Sequence, residues 1–298
     1  MSKGVQEPIH EVRAGPFVSA SAPAIGRSDN EDATGTFRDH TAWVLDGADD
    51  SLVDETRCPH GAYWYSRSLH VALAQCLSED EPPLDVVLQR AIQRVRDKHQ
   101  TECEDPWYRK PSAAVALLRH GSESLDYLVL GDVSILLESS GAVVHITDRR
   151  MHQIAKGIRY AILDRLRQGH GYDDPQRVAL LRELVEQEQR ARNTTSGYSI
   201  AAYDPRAAFH SVTESLPFTS SEPTIDRAAL LSDGAERAVS TFGLWSDWRD
   251  FMRIAPTEGP AECIKRIREA ELLDYSGKQH PRTKFSDDAS TILWAGTS

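Results

Sequence analysis

Five places in this 298-residue chain set a carboxylate at the edge of an apolar run. They are Glu31-Asp32, Asp46 after Trp43-Val44-Leu45, Asp132 after Leu130-Gly131, Asp233 after Leu230-Leu231-Ser232, and Asp287 just before Ala289 to Ala295. One Asp-Gly at a strand end is usually a turn. The set asks for more, because strand ends from distant parts of a sheet protein can converge at one edge. Carboxylates gathered there repel and raise each other's pKa unless a cation sits among them. An oxygen-only set with a backbone carbonyl nearby suits Mg²⁺ or Mn²⁺. The densest part is Gly26 to Asp50, where two acidic loops flank Trp43-Val44-Leu45.

The elements that must position these acids follow from periodicity. Residues 1–16 are polar and aperiodic and read as a flexible lead-in. Phe17 to Ala22 and Thr41 to Leu45 read as strands. Two amphipathic helices follow, about Gly61 to Leu77 and a second opened by Pro82-Pro83, in which Leu84, Val87, Leu88, Ala91, Ile92 and Val95 recur at helical spacing. Ala113 to Leu118, Leu125 to Leu130, Val133 to Leu137 and Ala142 to Ile146 then predict an antiparallel meander. Asp148 to Arg192 is helical, broken at Gly169-His170-Gly171. Strands are expected at Tyr198 to Tyr203, Ala207 to Val212, Ala228 to Leu231 and Ala289 to Ala295, with helices near Ser246 to Ile254 and Pro260 to Leu273. Blocks of strands with helices inserted in pairs predict an α+β fold with antiparallel sheets.

Composition narrows the class. With 34 Lys+Arg against 45 Asp+Glu, the formal net charge of −11 argues against general affinity for nucleic acid or anionic membranes. No stretch approaches the ~20 apolar residues of a membrane span, and the N-terminus has no apolar signal core, so the expected location is the cytoplasm. Cys58, Cys76, Cys103 and Cys263 form no CxxC pair, which removes zinc-knuckle and redox readings. No P-loop, GxSxG, HExxH or dinucleotide fingerprint is present.

Arg27-Ser28-Asp29-Asn30-Glu31-Asp32 resembles the R-x-x-[NM]-E-D opening of the protein phosphatase 2C family, the metal-dependent serine/threonine phosphatases. Val44-Leu45-Asp46-Gly47 resembles its V-x-D-G, Leu130-Gly131-Asp132 its G-D, Leu231-Ser232-Asp233-Gly234 its S-D-G, and Asp287-Asp288-Ala289-Ser290 its D-[ND]-x-[ST]. Five motifs in the family's order span Arg27 to Trp294, as in a bacterial-type member. The resemblance implies a four-layer αββα sandwich, two antiparallel sheets flanked by helix pairs, over residues 17–298 with a helical insertion at about 148–192. It implies hydrolysis of phosphoserine or phosphothreonine in proteins by a hydroxide bridging two Mn²⁺ or Mg²⁺ ions. Asp46 would bridge the metals, and the Gly47 carbonyl and Glu31 would serve one of them. Asp233 and Asp287 would hold the other, Asp132 and Asp233 a weaker third site. Asp32 would orient metal-bound water and Arg27 would grip the substrate phosphate.

The chain also departs from the pattern. Ala48 stands where many members have a histidine thought to protonate the leaving group, a role typically worth about 10² to 10⁴ in rate. His60 is a substitute to weigh against an ordinary loop histidine. Val133 replaces a serine, and Asp288 stands where many members have Asn. Asp49 and Asp50 read as solvated loop acids or extra ligands. Arg149, Arg150, Lys156, Arg159, Arg165 and Arg167 make the insertion basic, either a solvated helix face or a surface attracting a phosphorylated protein segment. Two rival functions stand beside the phosphatase: a non-catalytic phosphatase-like regulatory binding module, and a hydrolase of small phosphoesters.

Overall fold

The computed structural model describes residues 9–48, 60–79, 81–100, 110–218 and 225–296. Two antiparallel sheets lie face to face. One has six strands in the order β1-β2-β11-β10-β7-β8: β1 (Glu11–Ala14), β2 (Phe17–Ala22), β7 (Ser134–Ser139), β8 (Ala142–Thr147), β10 (Arg227–Leu231) and β11 (Ala289–Ala295). The other has five, β3-β4-β5-β6-β9: β3 (Ala33–Phe37), β4 (Thr41–Ala48), β5 (Ser112–His120), β6 (Ser124–Leu130) and β9 (Val212–Pro217).

The period of two along the strands builds three cores. In β4, Ala42 and Val44 point into the space between the sheets, where they meet Phe17, Leu230 and Ile292. Trp43 and Leu45 point the other way and pack under α1 (Gly61–Glu79) and α2 (Leu84–Gln100). On the far side, Ala229, Leu231 and Leu293 face α6 (Asp233–Ser240), α7 (Trp248–Glu258) and α8 (Pro260–Leu273). The result is the expected αββα sandwich, with three helices rather than a pair on the six-stranded side.

Several expectations need correction. The four central strands are no single meander: β5 pairs β6 in one sheet and β7 pairs β8 in the other. The chain changes sheet at Gly131-Asp132-Val133, and this crossing carries Asp132 to the sandwich edge. Residues 11–14, read as part of a loose lead-in, form β1 against β2. Tyr198 to Tyr203 gives only isolated bridges, one of them Ala113 with Ala201. Ala207 to His210 lies in a 3-10 helix, Pro205–His210, because the Asp204 side chain caps the Arg206 N–H ahead of a first-turn proline. The strand at this point is instead β9, whose exposed side chains hide its periodicity.

The insertion comprises α3 (Arg150–Gln153), α4 (Lys156–Arg167) and α5 (Pro175–Ala191). Asp174 caps α5 and accepts from Arg165 of α4, locking the two helices across the Gly169–Gly171 break. Cys76 and Cys263 are buried free thiols; Cys58 and Cys103 lie outside the described residues.

Candidate active site

The strand ends place the acids. Asp46 and Gly47 close β4, Asp132 sits at the β6-to-β7 crossing, Asp233 is the first residue of α6 directly after β10, and Asp287 precedes β11 by one residue. Register puts these on one edge of the sandwich: Ala289 pairs Ala22 at the end of β2, Leu231 pairs both Thr291 and Ser134, and Asp46 pairs Ala114 near the start of β5. The β2–β3 loop brings Arg27, Glu31 and Asp32 to the same edge. Asp32, Asp46, Asp132, Asp233 and Asp287 are therefore neighbours, although they come from both sheets.

Backbone contacts weld this edge. The Asp233 N–H, at the positive end of α6, donates to Asp46 Oδ2 at 3.0 Å, joining the two sheets across the site. Gly234 is required beside it, because a Cβ there would lie 1.9 Å from the Asp288 carbonyl oxygen. Gly47 likewise lets β4 approach the β2–β3 loop, since a Cβ would lie 2.6 Å from the Glu31 carbonyl oxygen. Arg27 Nη1 is 3.4 Å from Glu31 Oε1 and its side chain is 52% exposed, so it stands at the mouth of the site.

The acids repel one another. Asp46 is pushed well above the ordinary carboxylate range by burial and then by Asp233, Asp32, Asp132 and Asp287. Burial and Asp233 push Asp132 up to about 8. Burial and Asp288 raise Asp32, which is 1% exposed and whose Oδ2 has no hydrogen-bond partner. Asp233 is raised by burial and Asp287. Only Asp287 is held low, against its burial, by Lys284 and Arg237. Among the described residues, no three acids close into a ready coordination sphere. The donor set still fits a hard divalent cation: all oxygen, crowded, mutually destabilised and containing an orphaned buried oxygen.

Three residues have roles the motifs did not reveal. Asp288, seen only as a substitute for Asn, accepts from the Ala24 N–H at 2.7 Å and the Glu31 N–H at 2.6 Å, clamping both ends of the loop that carries Arg27. Arg237 and Lys284 engage Asp287. His60 packs at a tilt against Trp64 and His99, at ring-centroid separations of 4.4 and 4.8 Å, so its ring belongs to an aromatic cluster. Asp49 and Asp50 lie outside the described residues.

The insertion abuts the acids, with the Arg159–Glu188 pair within electrostatic reach of Asp132 and His152 within reach of Asp233. Of the six cations singled out in the sequence, Arg150, Arg159 and Arg165 are paired within the insertion, to Asp148, Glu188 and Asp174. At its base, a cavity of about 350 Å³ is lined by Arg150, Thr194, Ser199, Arg206 and His210 and by none of the proposed ligands.

The sequence profile described as protein phosphatase 2C matches residues 26–269. The chain belongs to the protein phosphatase 2C family. It is accordingly a protein serine/threonine phosphatase, acting on phosphoproteins. The profile match ends before Asp287, whose place in the site rests on the strand register above. Among solved structures, the chain resembles the serine/threonine phosphatase PstP/Ppp of Mycobacterium tuberculosis, at 15% identity and TM-score 0.55, over 97% of this chain and 100% of that one. It resembles the Staphylococcus aureus serine/threonine phosphatase at 15% identity and TM-score 0.54, over 97% and 99%. A PstP catalytic domain solved with 2 manganese ions matches at 16% identity and TM-score 0.51, over 94% and 96%. These distant likenesses speak for a shared fold. No curated protein matches the chain significantly.

Proposed function

We propose that residues 17–298 form one phosphatase domain, with β1 as an added edge strand, whose acidic edge hydrolyses phosphoserine and phosphothreonine in proteins with Mn²⁺ or Mg²⁺. The observation that carries the assignment is the Asp233 N–H to Asp46 bond, which ties Asp233 to the Asp46 carboxylate among Asp32, Asp132 and Asp287. Asp46, the Gly47 carbonyl and Glu31 would hold one ion, and Asp46, Asp233 and Asp287 the other, with Asp132 and Asp233 available to a weaker third. Bound divalent ions neutralise the phosphate dianion and make water a competent nucleophile at neutral pH.

The chain's own residues do the rest. Arg27, exposed at the mouth, offers a forked donor to the phosphate oxygens. Asp32, buried with one oxygen unpartnered, accepts from the attacking water and orients it. Asp288 holds the loop that carries Arg27 and Glu31. Ala48 supplies no proton to the departing serine or threonine oxygen. No helix among the described residues is long and apolar enough to cross a membrane. We place the enzyme in the cytoplasm, on the strength of the sequence.

The test is hydrolysis of p-nitrophenyl phosphate and of a phosphothreonine peptide, with and without Mn²⁺, by wild type and Asp233→Asn. Metal-dependent turnover of both, lost in the variant, is the expected result. Turnover indifferent to both metal and substitution sinks the assignment. Turnover of the small ester alone identifies a small-phosphoester hydrolase, and Mn²⁺ binding without any turnover a regulatory binding module.

A further inference from the structure

We infer that the cavity at the base of the insertion is a second phosphate-binding site, which holds a phosphoserine or phosphothreonine of the substrate protein other than the one being hydrolysed. This rests on the phosphatase reading above and concerns how that enzyme recognises phosphoproteins. At about 350 Å³ the cavity has the size of a small-ligand site, and neither Arg27 nor any of the proposed metal ligands lines it. Two arginines from separate parts of the chain do: Arg150 at the start of α3 and Arg206 in the 3-10 helix.

Both arginines are held in the same way. Each follows an aspartate by two positions, and that aspartate accepts from the arginine's backbone N–H and from the Nε and Nη2 edge of its guanidinium. Asp148 orients Arg150 so, and Asp204 orients Arg206. In each case the planar guanidinium is left with its Nη1 group on the side away from the carboxylate. Arg150 Nη2 also donates to the His210 carbonyl at 2.7 Å, whereas its Nη1 makes only a 3.5 Å contact with Ser199 Oγ. Arg206 Nη1 makes no hydrogen bond among the described residues. The two Nη1 groups are therefore the donors a ligand would meet. Each arginine charge is already shared with an aspartate, so a single carboxylate gains little there. A phosphate near its dianionic state brings more charge and three acceptor oxygens to divide between the two forks.

The remaining wall is the chain that returns from α5, and it is fixed in shape. The Asn193 side chain donates to the Ile200 carbonyl and accepts from the Ile200 N–H, and a Cβ at Gly197 would lie 1.8 Å from the Ala191 carbonyl oxygen. This wall brings Thr194 and Thr195 to the cavity. A second hollow, of about 530 Å³, shares Asn193, Asp204 and Arg206 with the first and runs on to Gln89 and Gln93 of α2. A free phosphate ion would occupy the first hollow alone. The continuation past Arg206 gives room for the residues that flank a phosphorylated side chain, so a phosphopeptide fits the whole trough.

Fluorescence anisotropy of a labelled phosphothreonine peptide, titrated with the EDTA-stripped full chain, tests this without reference to turnover. The metal-free acidic edge repels phosphate, so binding should depend on Arg206 and not on Arg27. Wild type should bind the phosphopeptide at least about tenfold more tightly than the unphosphorylated peptide. Arg206→Ala, at a side chain 83% exposed, should weaken that binding roughly five- to twentyfold. Arg206→Lys keeps the charge without the fork and should recover only part of the loss. Arg27→Ala should bind within about twofold of wild type. In Mn²⁺-dependent turnover, a peptide with two phosphothreonines should have a lower KM than one with a single phosphothreonine, and Arg206→Ala should erase the difference. Binding to Arg206→Ala as tight as to wild type, or a phosphopeptide that binds no more tightly than inorganic phosphate, would overturn the inference and leave the phosphatase assignment standing. Arg206-dependent phosphopeptide binding in a protein without Mn²⁺-dependent turnover would keep the site and sink the assignment.

Discussion

Replacing Asp288 with alanine should loosen the β2–β3 loop, which carries Arg27, without removing any proposed ligand. Its carboxylate is 7% exposed and spans the loop's two ends, accepting from the Ala24 and Glu31 N–H groups at 2.7 and 2.6 Å. Deletion leaves two backbone donors where little water reaches, and hydrogen bonds to a charged group contribute about 1.5–3 kcal/mol each. The gross loss is then about 3–6 kcal/mol. Part of it is offset: burial raises the Asp288 pKa in spite of both donors, and Asp288 in turn destabilises the charge on Asp32. A net loss of about 2–3 kcal/mol is expected, lowering the melting midpoint of the EDTA-stripped protein by roughly 4–8 °C. Asp288→Asn keeps one acceptor and turns an NH₂ toward the other donor, so it should cost about half as much. In p-nitrophenyl phosphate assays KM should rise more than kcat falls, because Arg27 and Glu31 lose their fixed position. An alanine variant that melts within about 1 °C of wild type with unchanged KM would refute the clamp.

Further outcomes follow from charge. Since Arg150, Arg159 and Arg165 are paired within the insertion, reversing Arg159 or Arg165 would report on its folding; Lys156→Glu with Arg167→Glu is the cleaner probe. If the insertion attracts phosphoprotein, this double variant should raise KM for an acidic phosphopeptide by roughly three- to tenfold while leaving p-nitrophenyl phosphate within about twofold. Equal effects on both substrates would remove that role. The metal-free protein should also lose stability as pH rises. Asp132, raised by burial and Asp233 to about 8, contributes stability that is fully present below the unfolded value near pH 4 and lost through about pH 8. After discounting for its partly open position, about 1–2 kcal/mol is expected, visible as a falling melting midpoint between about pH 5 and pH 8. Asp132→Asn should flatten that slope, and Mn²⁺ should oppose it; an unchanged slope in the variant would count against the crowding of charge.

The acids were legible in the sequence because each closes an apolar strand, and strand ends of one sandwich meet at an edge. Strands buried on both faces, such as β5 and β10, and the amphipathic α2 were legible for the same reason: burial dictates composition. What escaped was whatever burial does not dictate. β1 and β9 are edge strands with mostly exposed side chains, and β3 is short and contains Gly35. The sequence predicts no helix at α6, because Ser-Asp-Gly serves equally as a strand-end turn and as a helix N-terminus. The sheet change at Asp132 was invisible, since hairpin signals on either side do not say which sheet each hairpin joins.

The counter-ions of Asp287 show where motif reading stops for a chemical site. Arg237 lies four residues after Asp233 on one helix, a spacing at which opposite charges usually pair. That rule would give Asp233 a partner and leave Asp287 bare. The fold reverses it: Arg237 reaches Asp287, while the Asp233 N–H binds Asp46 and the Asp233 carboxylate stays raised. The reason is geometric. Side chains on a helix lean toward its N-terminus, so Arg237 points back along α6 to the turn that precedes β11. That turn is pressed against Gly234 and presents Asp287 there. A motif identifies which acids a metal site has available, whereas the affinity of each position depends on cations that the tertiary structure brings beside them. In this phosphatase, acids raise Asp46, whereas Lys284 and Arg237 hold Asp287 low.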